Sequence, residues 1–296
     1  MSNQNLEKDI QKQLIAMQQD EVNSYHTYER LASVVKDEQN SKILATIAKE
    51  EQGHYNTLRK ITQKDVKPNW FKINLFFWMA KILGLTFSIK LMERGEEVAQ
   101  KTYKSLVSVY PQLEQIWKDE ETHEDELINM LDEESLKYAG SVVLGLNDAL
   151  VELTGALAGL TFAFQNTSVI ALAGLITGIS ASFSMAASEY LSNKADADSE
   201  DSQEPLKSAI YTGIAYIFTV TILILPYLIA KHYLVCLAWT IVNAILIIAA
   251  FNFYISVAKD YNFKRRFTEM TVISLGVALF SFGVGAIIRS VFGIEV

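Results

Sequence analysis

A single cysteine in 296 residues, Cys236, excludes a disulfide framework within the chain, and its apolar neighbours make a Cys-based metal cluster improbable. Any metal must then be held by oxygen and nitrogen. The first residues, MSNQNLEKDIQKQ, lack the apolar core of a cleavable signal peptide and read as the start of a helix, so the N-terminus is expected to stay in the cytosol. Nearly all the dense charge lies before about residue 138, and long apolar runs are missing there, apart from one stretch. The averages of 50% hydrophobic and 20% charged residues, with a net charge of -8, therefore conceal two parts, expected at 1–137 and 138–296. No nucleic-acid partner is expected.

In the second part, apolar segments long enough to cross a bilayer fall at roughly 141–164, 168–191, 207–230, 233–257 and 271–293, each near the 20 residues that a spanning helix needs. Their connections differ in charge. KDYNFKRRF (259–267) and the linker with Lys194 and Lys207 are basic or mixed, whereas QNTS (165–168) is uncharged and AKHY (230–233) carries only Lys231. The excess of Lys and Arg on cytosolic loops then puts the N-terminus and the 259–267 loop inside and the C-terminus outside, which an odd number of spans requires. Gly155 with Gly159, and Gly174 with Gly178, have the spacing that lets membrane helices approach closely, and ordinary helix packing accounts for them.

The first part reads as helices. Apolar positions recur every three or four residues in EKDIQKQLIAMQQDEVNSYHTYERLASVVK, in NSKILATIAKEEQGHYNTLRKIT, through 86–108 and in PQLEQIWKDEETHEDELINMLDEES, with no strand-like alternation to compete. The expected fold is all-α, a four-helix bundle followed by five membrane helices. Between the second and third of these helices, NWFKINLFFWMAKILGLTF (69–87) is too apolar for a plain loop and is punctuated by Lys72 and Lys81. It reads either as a helix lying on a membrane surface or as a buried connection within the bundle.

An internal repeat carries the chemistry of the first part. Glu51 and His54 form one Glu-x-x-His and Glu120 and His123 another, while Glu21, Tyr28 and Leu31 are echoed by Glu96, Tyr103 and Leu106. Residues three apart share a helix face, so each Glu-x-x-His offers a carboxylate and an imidazole to one point, and each partner helix adds a Glu. This is the ligand set of a di-iron carboxylate bundle. One Glu-x-x-His arises readily by chance on an acidic helix; two copies, each preceded by a matching Glu helix, do not.

Over roughly residues 5–135 these motifs resemble the rubrerythrin and ferritin-like proteins. The resemblance implies a pair of iron ions, with manganese or zinc as alternatives, bridged by Glu51 and Glu120, capped by His54 and His123, and completed by Glu21 and Glu96. MERGEEVAQ also offers Glu93 and Glu97 as the ligand from the third helix; the repeat aligns Glu96 with Glu21. The four cysteines of a rubredoxin-like iron site are absent.

GLNDALVELTG (145–155) places Asp148 and Glu152 one helical turn apart inside the first span, and SMAASEYLS places Met185 and Glu189 likewise in the second. A lone carboxylate near the membrane surface need only cap or hydrogen-bond. Three with a thioether at helical spacing point instead to a cation path, and the softer sulfur suits a divalent transition ion better than sodium. Over about 138–296 these motifs resemble the vacuolar iron transporter family. That resemblance implies a homodimer exporting ferrous or manganous ion in exchange for protons through Asp148, Glu152, Met185 and Glu189. The plant-type members carry a long Glu-rich helical insert after the second span, for which SNKADADSEDSQEPLK (192–207) is too short, so the N-terminal bundle is expected to collect the metal. The whole chain is similar to the membrane-bound ferritin group, and a multi-pass protein of a prokaryotic plasma membrane is expected. No residue is assigned a catalytic role. A membrane-tethered di-iron oxidase or peroxidase and a metal sensor without transport are the competing readings.

Overall fold

The computed structural model describes residues 3–130, 137–195 and 204–292, with the side chains of 3–7, 96–101, 105, 128, 129 and 292 excepted. Every regular element among them is an α-helix. The chain divides into two compact units, Met1–Glu133 and Glu134–Val296.

The first unit contains α1 (Asn3–Ala32), α2 (Glu38–Thr62), α3 (Trp70–Leu83), α4 (Leu85–Leu106) and α5 (Leu113–Met130). Local chemistry sets the boundaries. Asp37 caps α2 by accepting from the Asn40 amide, and Asn69 caps α3 by accepting from the Lys72 amide, each satisfying an amide that has no partner within its helix. Gly84 separates α3 from α4 at φ 99°, where a side chain would be strained. α1 packs on α2 and α3, α4 packs on α3 and α5, and α2 meets α5.

Helices α1, α2, α4 and α5 build two apolar layers. Leu14, Met17, Leu58, Tyr103, Leu106, Leu113 and Ile116 form one, and Tyr28, Leu31, Leu44, Ile47, Ile89, Met92 and Leu127 form the other, joined by Phe77 of α3. In α1, α2 and α5 the residues between the two layers include Glu21, Glu51 with His54, and Glu120 with His123, so a polar layer lies between apolar ones. The segment 69–87 proves to have two faces. Ile73 and Phe77 are buried, while Phe71, Leu75, Trp78 and Ile82 are exposed.

The second unit contains α6 (Ala139–Phe164), α7 (Thr167–Ala195), α8 (Pro205–Ile229), α9 (Tyr233–Ala258) and α10 (Phe263–Phe292), all five long and apolar enough to cross a membrane. α6 is central and packs against the other four. The last helix begins about eight residues earlier than its apolar run, because Asn262 accepts from the Arg265 amide and starts the helix in the basic stretch. Residues such as Leu153, Leu157, Ile170, Tyr216, Val220 and Leu223 form the core. Outward positions, among them Ile176, Phe183, Phe218, Leu246, Leu279 and Phe280, remain apolar and exposed, as a lipid-facing surface requires.

Two backbone devices shape this unit. Pro226 inside α8 has no N–H for the Ile222 carbonyl, and Asn243 Nδ2 of α9 donates to that oxygen at 3.1 Å, while Thr240 Oγ1 donates to Leu223 O at 2.9 Å. Close helix crossings are the second. A Cβ at Gly285 would overlap the Gly159 carbonyl, one at Gly145 would overlap the Thr212 carbonyl, and Gly155 and Gly159 face Val277 and Ser281 of α10. At Gly276 a Cβ meets nothing.

Replacing Gly145 or Gly285 with Ala should therefore destabilise the membrane unit by about 1–3 kcal/mol, the usual cost of overpacking. Thermal unfolding in detergent measures it. Gly276→Ala should hold or raise the midpoint, and equal midpoints for all three variants would contradict the crossings described.

Candidate metal centre

α1 presents Glu21, α2 presents Glu51 and His54, and α5 presents Glu120 and His123, all five at most 5% exposed. Ligand atoms of Glu21, Glu51, His54 and Glu120 lie within 4.8 Å of one another. His54 Nδ1 is 3.4 Å from Glu21 Oε2 and 3.3 Å from Glu120 Oε1, and His123 Nδ1 is 3.5 Å from Glu51 Oε1. The two imidazole rings face each other with centroids 5.8 Å apart.

The opposite nitrogen of each ring is tied outward. His54 Nε2 lies 3.1 Å from Asp119 Oδ2, and His123 Nε2 lies 2.7 Å from Glu50 Oε2. An Nε2–H donating to a carboxylate leaves the Nδ1 lone pair directed inward, where a cation can take it. His54 Nδ1, His123 Nδ1 and Glu21 Oε2 are buried and face one another and the carboxylates of Glu51 and Glu120. Burying several carboxylates and imidazoles against one another is costly, so inward-pointing nitrogen and oxygen donors at one point fit a bound cation better than they fit a finished apolar core.

Glu50 and Asp119 were not singled out from sequence. Each is the acidic residue immediately before a Glu-x-x-His, and each reaches the histidine of the other half: Glu50 of α2 to His123 of α5, Asp119 of α5 to His54 of α2. The doubled acid was the available signal; the crossing between halves appears only once the helices are packed.

On the α4 side, the Tyr103 hydroxyl donates to Glu21 Oε1. Tyr28, its counterpart in the repeat, donates to Glu93 Oε1 at 3.1 Å. Glu96 and Glu97 lie on α4, but their side chains fall outside the described residues.

Electrostatics follow from burial and crowding. Burial works against a charged His54, yet hydrogen bonds and attraction from Glu120 and Glu21 overcome it and lift its pKa to about 11. Burial raises Glu120, helped by repulsion from Glu21, and its bond to His54 does not cancel this. Glu21 also suffers burial, but bonds from His54, Glu51 and Tyr103 hold it low. Burial next to these carboxylates pushes Tyr103 well above the usual phenol range. Without metal, protons do part of the work of neutralising the carboxylates. Oxygen and imidazole donors with no sulfur suit Fe2+, Mn2+ or Zn2+.

In the membrane unit Asp148 and Glu152 lie one turn apart on α6, and Met185 and Glu189 lie on α7. Asp148 lines a recess of about 430 Å3 with Gly140, Val143, Leu144, Asn147 and Val151, all on α6. Glu152 accepts from the Tyr216 hydroxyl of α8 at 3.0 Å. Met185 packs against the unit's core. Glu189 accepts from Ser141 of α6 at 2.9 Å and Ser208 of α8 at 2.5 Å. Ser141 precedes Asp148 by seven residues, about 10 Å along the helix. Among the described residues, the chain does not bring Asp148 and Glu189 to one point.

Residues 139–204 match the VIT family, the vacuolar iron transporters. The match covers α6, α7 and the linker to α8, and so contains Asp148, Glu152, Met185 and Glu189. No curated protein matches the chain. With five apolar helices, the VIT match points to metal-ion transport by a multi-pass membrane protein.

The proton held by His54 gives a direct test of the first unit. Metal-free, His54 is charged at neutral pH; a cation on Nδ1 requires it to be neutral. Binding must therefore release about one proton from this residue between roughly pH 7 and 10, and affinity must rise with pH by up to about tenfold per unit. Calorimetric titration of the full-length protein with Zn2+ or Mn2+, in buffers of different ionisation enthalpy, counts the protons. His54→Gln should reduce the count by about one. An unchanged count would separate this histidine from metal binding.

Proposed function

We propose that the protein exports ferrous or manganous ion from the cytosol in exchange for protons, and that its first unit is a ferritin-like di-iron domain that collects or senses the metal. The transport reading rests on one observation: the VIT match falls on the two helices that carry Asp148, Glu152, Met185 and Glu189 within a five-helix apolar unit. The buried Glu/His layer supports the collecting role. Glu21, Glu51, His54, Glu120 and His123 would hold the metal, with Glu96 added by the repeat and Glu93 or Glu97 as alternatives. Bound iron would supply Fe2+/Fe3+ redox chemistry. Glu50 and Asp119 orient the imidazoles toward it, and the apolar layers on either side exclude water.

In the membrane unit, metal and proton compete for the same carboxylate oxygens, so arrival of one favours departure of the other. Helix α6 alone supplies the residues that line the recess at Asp148, which leaves an open side for a second copy and supports a homodimer. Glu189 is held by Ser141 and Ser208, from which an arriving cation would have to draw it. The reading places the first unit in the cytosol, in keeping with the charge of the loops, and the protein in a prokaryotic plasma membrane. A membrane-tethered di-iron oxidase or peroxidase is the second reading, supported by the buried cluster of Glu21, Glu51, His54 and Glu120.

Proteoliposomes loaded with a metal-sensitive dye separate the two. Transport should continue after the first unit is saturated and should accelerate when the side receiving metal is made more acidic at zero membrane potential. Asp148→Asn and Glu189→Gln should each stop it while the first unit still binds metal. Equal rates with and without the pH difference would leave a channel, and no transport at all would favour the tethered oxidase.

Cysteine labelling tests direction. With an impermeant reagent in intact cells, Thr167→Cys should react from outside and Asn262→Cys should not. The reverse pattern would invert the direction of transport.

A further inference from the structure

Helix α3 leaves a face uncovered that the bundle does not use. Phe71, Leu75, Trp78 and Ile82 are 79%, 46%, 55% and 75% exposed. Their spacing of four, three and four residues is that of one helical stripe, and at 100° per residue all four fall within about 60° of arc. Ile73 and Phe77, on the opposite side, are the ones buried against the bundle. The outward stripe is therefore not a failure of the sequence to make a polar face. It is a second apolar face on a helix whose first is already satisfied.

The charges around the stripe say what covers it. Lys72 and Lys81 lie roughly 90° to either side of its centre. Lys72 pairs with Asp20 at 2.8 Å, and the Lys81 ammonium lies over the Phe77 and Trp78 rings at 5.2 and 5.5 Å. Residues 64–90 carry Lys64, Lys67, Lys72, Lys81 and Lys90 against Asp65, that is 5 - 1 = +4, in a chain whose net charge is -8. A flat apolar stripe with Trp in it, flanked by long cationic side chains, is what the boundary between lipid tails and anionic headgroups accommodates. The rings and aliphatic groups enter, and the ammonium groups stay at headgroup level. The same chain goes on to five helices long and apolar enough to cross a membrane.

We infer that α3 is a membrane-surface anchor: its Phe71–Ile82 stripe lies in the headgroup boundary of the bilayer that its own chain spans, with Lys81 at the level of the anionic headgroups and Lys72 tied to Asp20 at its edge. This goes beyond the transport reading and holds whichever ion the membrane unit carries.

The test uses the full-length protein in liposomes containing anionic lipid. Spin labels are placed at Phe71→Cys and Ile82→Cys on the stripe, and at Glu121→Cys on the exposed side of α5, in a Cys236→Ala background. Oxygen partitions into the bilayer and a nickel chelate stays in water. The stripe labels should favour oxygen over the chelate several-fold more than the α5 label does. Labels as open to the chelate as the α5 label would overturn the anchor, and labels shielded from both reagents would assign the face to a second protein copy instead. A readout without cysteines uses brominated lipid. It should quench native tryptophan fluorescence more than it quenches the Trp70→Phe/Trp78→Phe variant, and equal fractional quenching of the two would also overturn the proposal.

Discussion

Burying a carboxylate is among the least favourable acts a folding chain performs, and this protein does it repeatedly. An ionised group taken out of water needs an opposite charge, hydrogen bonds or a proton to remain there. In the first unit Glu21, Glu51 and Glu120 are carried between two apolar layers by the same helices that fold the unit, and cannot be moved to solvent without unpacking them. The nearby basic groups are the two imidazoles. His54 is charged because of this, and Tyr103 donates to Glu21 because of this. Glu50 and Asp119 complete the arrangement by holding each ring from its outer edge, so that Nδ1 has one direction left to face.

The repeat makes such a layer simple to encode. Two helix pairs of similar pattern, packed against each other, bring two Glu-x-x-His motifs to the same depth, with apolar residues of Leu and Ile type three or four positions away on either side. Crossing of the outer carboxylates, Glu50 to His123 and Asp119 to His54, follows from the same pseudo-symmetry. In the membrane unit the polar groups are met differently. Tyr216 serves Glu152, Ser141 and Ser208 serve Glu189, and Asn243 serves the carbonyl that Pro226 leaves alone. The helices are held together by small-residue crossings rather than by a polar layer.

Periodicity within one helix was legible throughout. The five apolar helices, the helical first part and the Glu-x-x-His faces needed only spacings of three, four and about twenty residues. What was not legible depends on registration between helices. Spacing shows that Asp148 and Glu152 share a face, yet it cannot show that Glu189 meets α6 at Ser141, about two turns from Asp148. Nor could it choose between the two readings of 69–87, because a helix apolar on both faces carries no periodic signal to say which is buried. The start of α10 was missed for a local reason: Asn262 caps a helix in a basic stretch that hydropathy alone marks as a loop.

The central claim is that the buried Glu/His layer holds metal, and counting ions tests it most directly. Full-length protein and the Glu51→Ala/Glu120→Ala variant would be loaded with Mn2+ or anaerobic Fe2+, freed of excess, and assayed for metal per chain. A two-metal ligand set predicts that the wild type retains about two more ions per chain than the variant, with the variant still folded, since removing crowded carboxylates relieves repulsion when no cation neutralises them. Equal metal content in the two folded proteins would contradict the account.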